Sequence, residues 1–221
     1  MQWNGKGYNS LNNIIYELNN GNGHIKQFWG NGKLNFEGEY LNGKRNGKGK
    51  EYDDDIIMYE GEYLNGMKHG RGKENNHKGF LFFDGEYLYN YKIKGKYYLK
   101  GNLEFEGEFL YDNKFNGKGY DQDGNIIYEL INGNGKVKEY WVIGDILFEG
   151  EYLNGKKNGK GKECYFRNIL LYEGEFLNEK RHGKGKEYDF KDKCSKLKYE
   201  GEYLNWKKKV EEGKNIIMMV I

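Results

Sequence analysis

Hydrophobic and polar positions alternate with a period of two residues in many short stretches of this chain. Residues 59–63 read Tyr-Glu-Gly-Glu-Tyr, so the aromatic and glycine positions fall on one face of an extended strand and the glutamates on the other. Residues 70–74 alternate in the same way. Between these stretches, the residues from Leu64 to His69 contain an Asn-Gly pair and further polar residues, which is typical of a turn. The pattern predicts a β-hairpin.

Charge and side-chain size select the register of this hairpin. Placing Tyr63 opposite Gly70 also sets Glu60 opposite Lys73, whereas a shift by one residue would place two glutamates opposite each other. Like charges that are directly opposed destabilise a pair of strands. The favoured register lays a tyrosine ring over a glycine, which has no Cβ to obstruct the contact.

The same pattern recurs along the whole chain, so we interpret the sequence as a repeat array. A half repeat at residues 3–8 comes first, and segment 3–52 resembles segment 115–164 at an offset of 112 residues, which indicates the duplication of a five-repeat block. Since a single hairpin is only marginally stable, neighbouring hairpins must bury each other's aromatic faces. The nine repeats that follow open at Tyr16, Phe36, Tyr59, Phe83, Phe105, Tyr128, Phe148, Tyr172 and Tyr199.

Two repeats, those that open at Tyr16 and Tyr128, are shorter than the others. In the second, a two-residue turn at Asn132 and Gly133 would place Leu130 opposite Gly135. The glutamate at position 129 would then lie opposite the lysine at position 136, so the short repeats predict the same kinds of pairing as the long ones.

Composition agrees with strands rather than helices. The chain has 34 glycines and 21 tyrosines but no alanine, and alanine is the best helix former whereas aromatic residues favour strands. The predicted fold class is therefore all-β. It is a single elongated array of tandem antiparallel β-hairpin repeats that occupies residues 1–221 as one continuous domain.

Candidate catalytic and metal-binding groups are sparse. Ser10 and Ser195 are the only serine or threonine side chains, and neither lies in the sequence context of a catalytic nucleophile. Cys164 and Cys194 show no zinc-binding spacing, which favours unpaired thiols in a reducing compartment. Asp121 begins a stretch similar to a calcium-binding loop, but the closing glutamate is missing. We therefore predict no enzymatic activity, no cofactor and no metal.

Charge constrains the partners and the location. The chain has 36 Lys and Arg residues against 34 Asp and Glu residues, and both signs are mixed along it. Nucleic-acid-binding proteins usually gather their bases on one face, so nucleic acid is not a predicted partner. The C-terminal apolar run from Ile216 to Ile221 is far shorter than the roughly 20 residues that a membrane-spanning helix needs. We expect a cytoplasmic protein, either free or peripheral at a membrane or the cytoskeleton.

The repeated string Tyr-Glu-Gly-Glu-Tyr-x-Asn-Gly-Lys-x-x-Gly-x-Gly resembles the MORN (membrane occupation and recognition nexus) repeat. Met67 and Glu179 depart from it, where Lys and the turn glycine are usual. The resemblance implies β-hairpin arrays that act in scaffolding and self-association and, by proposal, contact acidic phospholipids. The string is almost intact at residues 36–49, 59–72, 148–161 and 172–185. Its motif glycines and glutamates are Gly38, Glu39, Gly61, Glu62, Gly150, Glu151, Gly174 and Glu175.

We predict a non-catalytic scaffold that mediates contacts with protein partners, or self-association as a homodimer through the ends of the array. The apolar run from Ile216 to Ile221 is a candidate for such an end contact. The alternative is peripheral binding to acidic phospholipid membranes, because bases near the turns would line one edge of the array and each contributes about 1 kcal/mol at an acidic surface. The candidate lipid or partner contacts are Lys44, Arg45, Lys156, Lys157, Lys180 and Arg181.

Overall fold

The computed structural model describes residues 4–8, 12, 14–141, 143–189, 196–212 and 215–219, the side chains only as far as Lys209. Ser10, Cys194, Ser195 and the last two residues of the C-terminal apolar run lie outside this set. The regular structure is β-strand apart from one 3₁₀ turn at Phe166–Asn168, which confirms the all-β prediction. The strands are β1 Gly5–Tyr8, β2 Ile14–Leu18, β3 Gly23–Phe28, β4 Leu34–Leu41, β5 Lys44–Asp53, β6 Ile56–Leu64, β7 Met67–Asn75, β8 Leu81–Leu88, β9 Tyr91–Leu99, β10 Asn102–Leu110, β11 Asn113–Tyr120, β12 Ile126–Leu130, β13 Gly135–Tyr140, β14 Ile146–Leu153, β15 Lys156–Tyr165, β16 Ile169–Leu177, β17 Lys180–Asp189, β18 Lys196–Leu204, β19 Lys207–Glu212 and β20 Asn215–Met219.

The chain divides into two compact units. The first contains residues 1–102 and 109–112, and the second contains residues 103–108 and 113–221. In the first unit, β1 pairs with β2, and β3 to β9 follow one another in chain order in one sheet. In the second unit, β11 pairs with β12, and β13 to β20 form an eight-stranded sheet in chain order. Each of these pairings joins strands that are consecutive in sequence, as a hairpin array requires.

The register of the hairpin formed by β6 and β7 agrees with the prediction at its base and departs from it near the turn. Glu60 lies opposite Lys73, as the charge argument required. The predicted pairing of Tyr63 with Gly70 is wrong, because Tyr63 lies opposite Lys68. The strands stay paired up to a two-residue turn, whereas the turn predicted from the sequence contained the six residues from Leu64 to His69.

Backbone conformation explains this difference. Asn65 and Gly66 both have positive φ, 53° and 90°, which is the type I′ turn whose twist matches that of paired strands. The two surplus residues are absorbed further along as a bulge, where Gly70 has φ 75°. At the bulge, the backbone amide of Arg71 donates a hydrogen bond of 3.3 Å to the carboxylate of Glu62.

The short repeat at Tyr128 also differs from the prediction. Glu129 lies opposite Lys118 of β11, and Lys136 lies opposite Glu151 of β14, so the expected pair between Glu129 and Lys136 is wrong. Strands β12 and β13 belong to different sheets and meet in an isolated bridge next to the turn. The backbone amide of Gly133 donates to the carbonyl of Phe115, which ties this turn to the preceding hairpin while its own two strands diverge.

Aromatic rings form the core on the glycine face of each sheet. In the first unit, the ring of Tyr59 makes edge-to-face contacts with Tyr63 and Tyr87, each with a centroid distance of 5.4 Å, and its side chain is fully buried. The ring lies across the glycines of its own hairpin, so that a Cβ built on Gly72 would approach the Cζ atom of Tyr59 to 2.6 Å. Glycine is therefore required at this position by the ring that covers it.

The second unit repeats this arrangement. Tyr172 contacts Phe176 and Tyr203, each with a centroid distance of 5.2 Å. A Cβ built on Gly185 would approach the Cζ atom of Tyr172 to 2.5 Å. The aromatic layer, rather than a globular core, buries the large side chains of each unit.

Candidate interaction surfaces

The six basic residues that the sequence nominated as contacts separate into two groups according to strand face. Lys44, Lys156 and Lys180 each lie opposite the leucine that ends the preceding strand. Arg45, Lys157 and Arg181 each lie opposite an aromatic residue, on the face that carries the ring layer. One step along a strand reverses the direction of a side chain, so adjacent bases meet different surroundings.

Arg45 closes the ring layer of the first unit. Its guanidinium lies 4.0 Å from the centroid of the Phe36 ring and forms an ion pair of 2.6 Å with Glu51. Its side chain is 24% exposed. A guanidinium that stacks on an aromatic face and pairs with a carboxylate stabilises the fold. Because the carboxylate neutralises its charge locally, it attracts an anionic partner only weakly.

Lys157 and Arg181 occupy the equivalent places in the second unit. The Nζ atom of Lys157 lies 4.5 Å from the centroid of Phe148 and 3.4 Å from Glu163. The guanidinium of Arg181 lies 4.6 Å from the centroid of Tyr172, and its Nε atom is 3.0 Å from the same Glu163. These two bases therefore share one carboxylate above the aromatic layer.

Other members of this ion-pair layer were not predicted from the sequence. In the first unit, Lys68 and Lys92 flank Glu74 at 2.9 and 2.7 Å. Burial of the Glu74 carboxylate disfavours its ionised form, but the hydrogen bond from Lys92 and the charge of Lys68 outweigh burial, and the pKa of Glu74 lies below its ordinary value. A signal existed in the sequence for Lys68 and Glu74, because both have the same parity along β7 as Gly72, which lies under the Tyr59 ring.

Glu187 holds the corresponding place near the end of the second unit. It accepts from Lys208 at 3.1 Å and Lys198 at 3.2 Å, and Arg181 lies 3.6 Å away. Burial disfavours its charge, yet the hydrogen bonds from the two lysines prevail and hold the pKa of Glu187 below its ordinary value. Glu187 is only 7% exposed, so its carboxylate lies in the interior of the ion-pair layer.

The remaining nominated bases point away from the ring layer. Lys44 and Lys156 are exposed at the hairpin tips. Lys180 is half-buried, and its Nζ atom lies 5.3 Å from the centroid of the Trp206 ring. The predicted contact role of all six bases stays a prediction, but Lys44 and Lys156 are the two of them that are exposed.

The opposite face of the first sheet forms a groove, which we call the first groove. Its charges alternate in sign from strand to strand and form ion pairs between neighbouring hairpins, as in Lys50 with Glu60 at 3.0 Å and Lys73 with Asp84 at 3.3 Å. Thus Glu60 lies opposite Lys73 in its own hairpin, but its carboxylate pairs with the lysine of the hairpin before it. The groove is lined by His24, Glu37, Gly38, Glu39, Lys48, Gly49, Lys50, Glu60, Gly61, Glu62, Arg71, Gly72, Lys73 and Asp84.

The second unit has a matching groove, which we call the second groove. It also contains a pair between hairpins, Lys162 with Glu173 at 3.2 Å. Ile127 and Val137 make one end of it less polar. The other lining residues are Lys136, Lys138, Glu149, Gly150, Glu151, Lys160, Gly161, Lys162, Glu173, Gly174, Glu175 and Lys184.

The second glutamate of each motif has a different role from the first. Its carboxylate lies against a glycine of positive φ on the following strand, and in two repeats it accepts the next backbone amide, from Arg71 at 3.3 Å and from Lys160 at 3.1 Å. A Cβ on that glycine would collide with the carboxylate. These contacts are made by Glu39 with Gly47, Glu62 with Gly70, Glu151 with Gly159 and Glu175 with Gly183.

Other candidates for chemistry have ordinary structural surroundings. Asp121 accepts the backbone amides of Asp123 and Asn125 at 3.0 and 2.8 Å, which closes a loop between two strands. Burial and the charge of Glu149 raise the pKa of the Cys164 thiol. In the part of the chain that the structure describes, no group of three or more His, Cys, Asp or Glu side chains is placed to hold a metal ion. No described helix has the length and apolar character needed to span a membrane.

Comparison with known proteins identifies the repeats. The family model of the MORN repeat matches four segments, at residues 36–55, 59–75, 148–166 and 172–190. Each matched segment begins at the first residue of one of the four repeats in which the motif is almost intact. The resemblance inferred from the sequence is therefore confirmed. No curated protein matches the chain.

Proposed function

We propose that this chain, which carries MORN repeats in four segments, is a non-catalytic scaffold that binds protein partners along its two grooves. The observation that carries the proposal is the contrast between the two faces of each sheet. On the ring face, bases and carboxylates neutralise each other above a buried aromatic layer. On the groove face, charges of both signs stay exposed to solvent.

Several bases in the grooves remain available to a partner. Lys48 and Arg71 of the first groove are exposed, and neither side chain forms an ion pair with a described residue. Lys160 and Lys184 of the second groove are likewise exposed and form no ion pair with a described residue. Since glutamates lie between these bases, the surface favours a partner with complementary charges of both signs over a uniform polyanion.

The proposal is tested by comparing two charge-reversed forms of the full chain as bait. The groove variant carries Lys48→Glu and Arg71→Glu, and the matched tip variant carries Lys44→Glu and Lys156→Glu. A protein that is captured by the wild-type chain should be captured equally by the tip variant, and its affinity for the groove variant should fall at least ~10-fold, because like charges at an interface cost several kcal/mol. Equal capture by the groove variant would contradict the proposal.

Acidic phospholipid is the competing partner, and vesicles test it directly. Three of the six nominated bases, Arg45, Lys157 and Arg181, already pair with carboxylates, which reduces the attraction that the tips can exert on an anionic surface. We therefore expect little sedimentation of the chain with acidic liposomes at physiological salt. Strong sedimentation that the tip variant loses and the groove variant keeps would establish lipid binding in place of the protein scaffold.

A further inference from the structure

Two hairpin tips of the first unit differ from the rest in their turn residues. Tyr89 and Tyr111 occupy the first turn position, each with φ 50°. Positive φ is uncommon for any residue other than glycine, and asparagine tolerates it much better than a bulky side chain does. The other turns that lie within a repeat have asparagine at this position, namely Asn20, Asn42, Asn65, Asn132, Asn154, Asn178 and Asn205, whereas turns between repeats have other residues, such as Lys100 with φ 52°.

Neighbouring hairpins hold these turns in place. The amide of Asn90, the second residue of the Tyr89 turn, donates to the carbonyl of Lys68 at 2.9 Å, and the amide of Lys68 donates to the Asn90 side chain at 2.8 Å. The turn that contains Tyr111 is fixed by Asp112, which accepts the amide of Lys92 at 2.8 Å. The tyrosines are therefore kept in an unfavourable backbone conformation by the surrounding structure.

Packing covers only part of their rings, although the Tyr89 ring lies 5.2 Å from that of His69 and the Tyr111 ring contacts Tyr91. Tyr89 is 49% exposed and Tyr111 is 72% exposed. A tyrosine that is held in a strained conformation and leaves about half or more of its surface exposed is better explained by a role in binding than by a contribution to stability.

The two tyrosines are part of a larger aromatic surface. Tyr91, which is 49% exposed, lies edge-to-face against Tyr111 with a centroid distance of 5.7 Å. We call Tyr89, Tyr91 and Tyr111 the tyrosine cluster. Leu88 and Leu110 are exposed next to it in sequence, so the surface combines apolar area with phenolic hydroxyls.

The charged side chains near the tyrosine cluster already form ion pairs or hydrogen bonds within the chain. Lys68 and Lys92, the bases of these tips, turn inward to Glu74 and are 20% and 16% exposed. Asp112 uses one carboxylate oxygen on the amide of Lys92. A strongly acidic or phosphorylated partner would thus find little to pair with here, in contrast to the tip that carries the exposed Lys44.

We propose that the tyrosine cluster binds a proline-rich segment of another protein in the polyproline II conformation. Such a segment presents its proline rings to aromatic side chains, and its backbone carbonyls are free to accept hydrogen bonds from hydroxyls. It is also extended before binding, so it loses little conformational entropy when it binds. The present chain contains no proline, so a second copy of it cannot supply this segment.

The test uses the full chain and three fluorescein-labelled peptides in anisotropy titrations. Two probes are proline-rich, a decaproline and a peptide of repeated Pro-x-x-Pro, and the third is the second probe with every proline replaced by alanine. The wild-type chain should bind at least one proline-rich probe and not the alanine peptide. The double variant Tyr89→Asn with Tyr111→Asn should weaken that binding at least ~10-fold. Absence of binding of both proline-rich probes to the wild-type chain would overturn the proposal.

The same double variant separates binding from folding. Asparagine suits the left-handed turn, so the melting temperature of the variant should rise by about 2–4 °C or more while peptide binding is lost. The Lys48→Glu and Arg71→Glu groove variant should keep full peptide affinity, so this proposal can fail independently of the proposed groove. If the double variant instead binds the peptide normally but loses liposome sedimentation or self-association in analytical ultracentrifugation, the cluster serves a different occupant and the proposal is wrong.

Discussion

Substitution of Gly72 by alanine tests whether the aromatic layer makes the motif glycines necessary. The Cβ of an alanine at this position would lie 2.6 Å from both the Cε2 and the Cζ atoms of Tyr59, well inside van der Waals contact. The ring cannot retreat freely, because Tyr59 is fully buried between Tyr63 and Tyr87, and its hydroxyl donates to the carbonyl of Glu62 at 3.1 Å.

Two responses are open to the protein, and their magnitudes are similar. If the ring stays, the added methyl overpacks the layer, which typically costs about 1–3 kcal/mol. If the ring leaves, the burial of one large side chain is lost, which costs about 1.5–3 kcal/mol. We therefore expect Gly72→Ala to lower the free energy of unfolding by about 2 kcal/mol, equivalent to a melting temperature lower by roughly 4–8 °C for a chain of this size.

Gly30→Ala is the matched control, because a Cβ at Gly30 would meet no atom within 4 Å. It measures what any glycine-to-alanine change does through the unfolded chain, about 0.4–1 kcal/mol of stabilisation. Urea unfolding followed by far-ultraviolet circular dichroism gives both values.

A double-mutant cycle isolates the contact itself. In a Tyr59→Leu background the ring is gone, so the penalty of Gly72→Ala should shrink to less than about 0.5 kcal/mol. Equal unfolding midpoints for Gly72→Ala and Gly30→Ala, or an unchanged penalty in the leucine background, would refute the ring-over-glycine explanation.

Three further predictions address the ion-pair layer and the half-buried thiol of Cys164. Lys68→Met should lower the free energy of unfolding by about 1–3 kcal/mol, since it removes a charged hydrogen bond to Glu74, whereas the control Lys44→Met at an exposed tip should change it by less than about 0.5 kcal/mol; equal effects in urea unfolding would contradict this. Because the pKa of Glu74 is lowered in the folded state, the contribution of its ionised form to the free energy of unfolding is complete above the unfolded pKa of about 4.3. This contribution is lost as the pH falls through the folded pKa. Between pH 6 and pH 3, the urea midpoint should therefore fall less steeply with pH in Glu74→Gln than in the wild-type chain. In a Cys194→Ser variant, Cys164 should react with iodoacetamide at pH 8 more slowly in the folded chain than in urea, because burial raises its pKa; equal rates would show that the thiol is not protected.

Much of the fold could be predicted from the repeat pattern. Alternation and opposed charges were sufficient to predict strands, hairpins and the pairing of Glu60 with Lys73. The extent of the turn was not predictable in the same way, because an Asn-Gly pair fits both a two-residue turn and the start of a longer one. The choice depends on the bulge at Gly70, which restores the register after the strands have paired up to the turn.

The short repeats show a second limit. Local charge pairing favoured Glu129 opposite Lys136, and the same glutamate has an equally good partner in Lys118 on its other side. Only the three-dimensional path of the chain decides between them, since the hydrogen bond from Gly133 to Phe115 commits the turn to the preceding hairpin. A sequence pattern that treats each hairpin alone cannot contain this information.

The candidate contacts show how strand parity separates stability from function in such an array. Lys44 and Arg45 are neighbours of the same charge, yet Arg45 shares the parity of Gly49 and of Glu51, and therefore lies over the ring layer and pairs with that glutamate. Lys44 has the opposite parity and remains in solvent. Bases counted along the sequence thus overstate the charge that a membrane or an acidic partner would meet. The bases that pair with carboxylates lie on the ring face of each sheet. Recognition by charge therefore has to come from the hairpin tips and the grooves, and the grooves present charges of both signs.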